Sequence, residues 1–178
     1  MITSCIIFLA TLGTPAEQTD QYYINNYLNC KDNVPVSMWE YAPHYYEHFN
    51  IENINTAVRI GWCESRGKST AHREDNGDSG VMQFVSWTWN WVAEEYNIPM
   101  WNEWVVMYRD KPYTEQKTSK SDIGFSFTKV QFTPNYNIYM ASLLAEDIYG
   151  KTQWRDWSSS EWCWADEKKW RIRWTTEN

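Results

Sequence analysis

Residues 57–84 read AVRIGWCESRGKSTAHREDNGDSGVMQF, and the reading of this stretch governs the rest of the chain. It begins as an apolar run and arrives at one carboxylic acid, Glu64. Ile54, Ala57 or Val58, Gly61 and Glu64 fall on one stripe at helical spacing. The spacing predicts a helix over 54–63, capped by Asn53 or Asn55 and stopped at Gly67, with the acid on its inward face. Residues 72–84 carry too many turn formers for a helix and predict a turn followed by a short strand. One acid on an apolar element, facing a glycine-rich polar strand, suits protonation of a leaving oxygen.

Burial disfavours the ionised form of Glu64, and the negative end of its helix pushes the same way, so its pKa is expected to rise. A carboxylic acid still protonated near neutral pH can give its proton to a glycosidic oxygen. The plainer alternative is a Glu that turns outward and caps its helix end in solvent. Glu74, Asp75 and Asp78 lie across the turn. A hydrolase using a second carboxylate would draw on one of these three, the separation of the two groups deciding the stereochemistry. For each of them a solvated turn is favoured over a catalytic role.

Outward from that centre, 36–49 has amphipathic spacing interrupted by Pro43, which should kink the helix or start a new one. Ser86 is expected to cap a helix ending before Pro99, with Trp87 and Trp91 on one face. Residues 107–131 are polar and read as a surface insertion or lid. From 135 to 149, Ile138, Ala141, Leu144 or Ala145, and Ile148 form a helical stripe that Gly150 would cap. The C-terminal part is rich in Trp and mixed charge. There is no internal repeat and no second domain.

The 178 residues suit one domain with a full core. Thirteen Trp and 12 Tyr are far more than usual; they serve as core, or as flat platforms for sugar rings. A net charge of −7 argues against nucleic acid. It also gives no long-range attraction to an anionic cell wall, so binding there would rest on short-range contacts, as suits a salty medium. The start, MITSCIIFLATLGTPAEQ, has no charged side chain before Glu17 and an apolar run over 6–12. It resembles a secretory leader without the usual basic residue, cleaved near Ala16, and is too short to anchor in a bilayer. Export is favoured over a buried N-terminal strand. Cleavage would remove Cys5 and leave Cys30, Cys63 and Cys163; the expected pair is Cys63 with Cys163, leaving one odd thiol. Three inert buried thiols are the other reading.

The run WCESRG, then DNGDSGVMQF, then FTPNYNIYMASLLAEDIYG resembles the catalytic domain of soluble lytic transglycosylases and goose-type lysozymes. That family pattern has a Glu-Ser pair ending a helix, a Gly-x-x-Gln stretch preceded by Ser, an Asn-Ile opening a later helix, then Gly and Trp. Here these are Glu64-Ser65, Ser79-Gly80-Val81-Met82-Gln83, Asn137-Ile138, and Gly150 with Trp154. A Cys before the acid also resembles secreted and phage members, in keeping with a Cys63–Cys163 bond. The resemblance covers about residues 36–164. It implies a mainly α (α+β) lysozyme-like fold with a small β-hairpin beside the cleft.

The same resemblance makes Glu64 the general acid and base, acting on peptidoglycan glycan strands at the MurNAc-β-1,4-GlcNAc bond. Ser65, Ser79, Gln83, Tyr136, Asn137 and Tyr149 would bind substrate. No cofactor or metal is implied. Transglycosylase members use the substrate's own 2-acetamido group, whereas goose-type lysozymes direct a water with an Asp, which keeps Asp75 and Asp78 in view. The chain then divides into a leader (1–16), an exposed lead-in (17–35), the catalytic domain (36–164) and a charged Trp-containing tail (165–178), expected as a solvated helix. The expected protein is a monomer without a stable membrane anchor, exported or phage-associated.

Two rivals belong to other classes. His44-Tyr45-Tyr46-Glu47-His48 matches an inverted zinc-peptidase pattern, with both His one turn apart. A lysozyme-shaped wall-binding or virion module without activity would share the fold.

Overall fold

The computed structural model describes residues 1–11, 20–73, 77–98, 107–108, 111–112, 123–124, 130–148 and 154–177. Its centre is α4 (Ile54–Ser65), which packs against α1 (Ile2–Ala10), α3 (Ala42–His48), α7 (Glu161–Trp164) and the 3-10 turn Arg155–Ser160. Ile54, Ala57, Val58, Ile60 and Trp62 are all buried, so the helix is covered on nearly every side rather than along one stripe. Close approach by α3 explains Gly61: a Cβ there would meet the Tyr45 hydroxyl and stand 3.1 Å from the Met38 methyl carbon.

The helix over 54–63 forms, with different ends. Asn53 precedes it without capping it; the Asn53 amide instead donates to Glu146 Oε1 at 2.5 Å. The C-terminal stop falls on Arg66, in the left-handed region at φ 56°, and Gly67 continues there at φ 72°. The Arg66 guanidinium then donates to the Cys63 carbonyl at 2.8 Å, satisfying a free helix-end acceptor. Pro43 does start a new helix: a 3-10 turn over Val36–Tyr41 hands over to α3 there. Ser86 is the first residue of α5 (Ser86–Tyr96), and Val85 occupies the capping position assigned to Ser86. The expected helix over 135–149 is α6 (Pro134–Ser142) running into a π-helical turn, Leu143–Ile148, while Tyr149 and Gly150 lie outside the described residues.

The ends of the chain depart most from expectation. The segment expected as a leader holds a helix, Ile2–Ala10, with Ile2 and Ile6 completely buried. It packs on α3 and α4, and Cys5 is bonded to Cys30 at the end of α2 (Asp20–Lys31). No odd thiol remains, because all four cysteines pair. At the other end, α8 (Glu167–Glu177) is not a solvated tail: Trp170 is fully buried edge-on against Trp62. Polar residues around these tryptophans hid an apolar face from the sequence reading.

The architecture is mainly helical. Residues 72–84 do not make the expected hairpin; they hold single antiparallel bridges, His72 to Ser79 and Ser79 to Phe84. Within the polar segment 107–131, β1 (Met107–Tyr108) pairs antiparallel with both β2 (Lys111–Pro112) and β3 (Ile123–Gly124), in the order β2-β1-β3. Among the described residues no helix is long and apolar enough to cross a membrane.

Candidate active site

Glu64 sits in the last turn of α4 and lines a cavity of about 330 Å³. The same cavity is lined by Arg73, Asp78, Gln83, Trp87, Asp156 and Trp157. Three links along α4 hold the acid's end of the helix to the C-terminal segment. Arg59 donates to the Trp164 carbonyl at 2.6 Å, Cys63 is bonded to Cys163, and Glu64 accepts a 2.5 Å hydrogen bond from Ser160. Arg59 spends its charge on carbonyls at the end of α7, where a cation is favoured.

The Glu64 carboxyl is pushed above the usual carboxylate range, chiefly by burial and in smaller part by the nearby Asp78 charge. The Ser160 hydrogen bond, Arg73 and Arg66 act in the opposite direction without overcoming burial. This is the sign expected for an acid that keeps its proton near neutral pH.

The loop facing Glu64 is held by backbone and by one buried amide. Gly80 N donates to the Ala71 carbonyl at 2.9 Å, and Ser79 and Phe84 exchange N–H···O bonds at 3.0 Å. Asn137, completely buried at the start of α6, donates to the Ser79 and Gln131 carbonyls at 3.1 and 2.9 Å and accepts from Met82 N at 2.7 Å. Gly80 has φ 83°, and a Cβ on it would stand 2.6 Å from Asn137 Cγ, so both backbone conformation and space require glycine. From the other side Trp157 Nε1 donates to the Met82 carbonyl at 2.8 Å. Met82 is thereby clamped between α6 and the 155–160 turn.

These bonds change the roles expected of several residues. Ser65 does not face the cavity; its hydroxyl donates back to Gly61 O at 2.8 Å and accepts from Gly67 N at 3.1 Å. Ser79 is fully buried, with its hydroxyl 3.0 Å from the Gly77 carbonyl and 2.8 Å from His72 Nδ1. The Asn137 amide is fully committed to backbone. None of these three is among the residues that line the cavity. Gln83 does line the cavity; its amide N–H groups go to Ala71 O and Gly80 O at 2.9 and 2.8 Å, which leaves Oε1 for a ligand. Tyr136 is exposed and stands outside the cavity lining. Of the candidate second carboxylates, Asp78 lines the cavity 3.6 Å from Arg73, whereas Asp75, like Tyr149, lies outside the described residues.

Ser160, Asp156 and Trp157 were not singled out from the sequence. A signal for Ser160 was present. Once Cys63 is bonded to Cys163, the residue one turn before Cys163 is carried to the neighbour of Cys63, which is Glu64. Trp87, 66% exposed at the cavity, is the aromatic surface best placed for a flat ligand face.

The histidine pattern on α3 is not assembled as a metal site. His48 Nε2 is hydrogen-bonded to Asn135 Oδ1 and its ring packs on Tyr139, while Glu47 is exposed. Among the described residues no group of three or more His, Cys, Asp or Glu side chains could hold a metal ion. Comparison with protein-family models, curated proteins and solved structures gives no match for this chain.

Proposed function

We propose that the protein cleaves the β-1,4 bond between N-acetylmuramic acid and N-acetylglucosamine in peptidoglycan, on a lysozyme-like helical fold, with Glu64 as general acid and then general base. The observation that carries this reading is the position of Glu64: a half-buried carboxyl with a raised pKa, at the wall of a cavity large enough for sugar rings, with an exposed Trp87 lining the same cavity.

Glu64 gives its proton to the glycosidic oxygen as the C1–O bond breaks, and the leaving sugar departs with a free hydroxyl. The acetamido oxygen of the retained sugar bonds to C1 in its place. Glu64, now ionised, then takes a proton from the attacking group as that group's oxygen bonds to C1 and the C1 bond to the acetamido oxygen breaks, restoring the amide. That group is the sugar's own 6-hydroxyl, giving a 1,6-anhydro end, or a water, giving a hydrolysed end. Neither route requires a second carboxylate for bond breaking; Asp78 and Asp156 line the cavity and would orient a water. The ordered sequence pattern of Glu64-Ser65, Gly80-Val81-Met82-Gln83 and Asn137-Ile138 supports the same reading.

Two disulfides fit an oxidising compartment; we place the protein, as a monomer, at a cell wall outside the cytoplasm. Purified sacculi test the function. The expected outcome is loss of turbidity with release of soluble muropeptides. Binding to sacculi with no soluble product would make the protein a wall-binding module instead.

A further inference from the structure

We propose that Ser160 is a positioning residue of Glu64, its hydroxyl turning between the Glu64 carboxyl group and the Trp157 carbonyl as the acid loses and regains its proton. Ser160 Oγ lies 2.5 Å from Glu64 Oε1 and 3.1 Å from Trp157 O, and the residue is buried. A hydroxyl has one proton and can also accept. It therefore donates to only one of these two oxygens at a time.

When Glu64 is ionised, the charge-assisted bond is the stronger, and Ser160 donates to Oε1. When the proton is on Oε1, the direction reverses: Glu64 donates to Ser160 Oγ, and Ser160 donates to the Trp157 carbonyl. Either way no buried polar group is left unmatched, because Trp164 Nε1 also donates to the Trp157 carbonyl at 3.0 Å. When the proton sits on Oε2, Ser160 is again free to donate to Oε1 and stabilises the carboxylate as the proton leaves. No covalent bond to Ser160 forms or breaks, and the transferred proton comes from Glu64 alone.

The placement is built into the fold. Ser160 ends the 3-10 turn whose Trp157 indole grips Met82, and Cys163, one turn on, is bonded to the residue before Glu64. The charged groups around the acid are Asp78 and Arg73 from the loop, Arg66 at the end of α4, and Asp156 on the turn. Among the described residues, Ser160 is the group that hydrogen-bonds to the carboxyl.

This inference rests on Glu64 being the acid of the proposed reaction, but the titration of Glu64 can be read without that reaction. The full chain would be labelled with carboxyl-¹³C glutamate, Glu64 assigned with Glu64→Gln, and the midpoint followed by NMR in wild type, Ser160→Ala and Ser160→Thr. The expected result is an upward shift in Ser160→Ala, because a donor to the ionised form is lost, and a return to the wild-type midpoint in Ser160→Thr. An unshifted Ser160→Ala, or a Ser160→Thr that titrates like it, overturns the proposal. If Ser160→Ala does not fold, Ser160→Cys carries the same test: its weak donor should raise the midpoint, and an unchanged midpoint overturns the proposal. A protein that shows these shifts and releases nothing from sacculi keeps the Ser160 inference and loses the function.

Discussion

Cys63, the residue immediately before Glu64, is joined to Cys163 on α7 across a sequence separation of 100. In the chain-entropy picture a loop of that size is worth up to about 4.7 kcal/mol. Replacing both cysteines by serine should therefore lower stability by several kcal/mol, roughly 2–4 in ordinary cases, as read by denaturant melts. Sacculus lysis should fall further than the loss of folded protein accounts for, because Ser160 loses its registration on Glu64. A double variant that is stable and fully active would show that the bond is dispensable for the site.

Glu64→Gln should leave the fold intact and stop catalysis. It should also stabilise the protein at neutral pH. A folded-state pKa raised by burial means that the protonated acid is the form the fold favours. That contribution is fully present below the ordinary carboxylate pKa and is lost as pH rises through the raised value. The melting temperature of Glu64→Gln should exceed that of wild type at pH 7, with the difference shrinking toward pH 4. A difference that grows on acidification would contradict the burial argument.

Asp78 is an acidic neighbour in the same cavity and raises the Glu64 pKa. Asp78→Asn removes that repulsion and leaves the Arg73 charge, both of which favour the Glu64 carboxylate. The basic limb of the pH–activity profile should move to lower pH. A limb that stays in place would remove Asp78 from the electrostatics of the acid.

Asn137→Ala deletes a buried amide that makes hydrogen bonds to Ser79 O, Gln131 O and Met82 N. Leaving those backbone groups unmatched should cost about 2–4 kcal/mol. Chemical denaturation measures it, and a cost below about 1 kcal/mol would mean that water takes over the clamp.

Trp87→Ala changes an exposed side chain, so stability should stay within about 0.5 kcal/mol. If Trp87 stacks on sugar, affinity for chitooligosaccharides should weaken roughly tenfold. Titration calorimetry decides it; unchanged affinity would leave Trp87 out of the binding surface.

Helical periodicity was enough to find α4 and to put an acid in its last turn, because spacing along one helix is a local property. The Pro43 break was legible for the same reason. The roles of Ser65, Ser79 and Asn137 were not, since a motif preserves residue identity but not where each hydrogen bond goes. In this fold their polar groups are spent on Gly61, Gly77, Gln131 and Met82. A short apolar segment with small residues after it looks the same in sequence as a leader or as a core helix, so the packing of α1 on α3 and α4 was not legible from it. α8 misled, its Lys and Arg residues outweighing the buried Trp170 and Trp174 in the sequence reading.

The most direct test is mass spectrometry of the soluble material released from purified sacculi by wild type and by Glu64→Gln. Wild type should release disaccharide-containing muropeptides, with 1,6-anhydro or hydrolysed ends that differ by one water, and Glu64→Gln should release none. Glycan cleavage by Glu64→Gln at the wild-type rate would contradict the role given to Glu64.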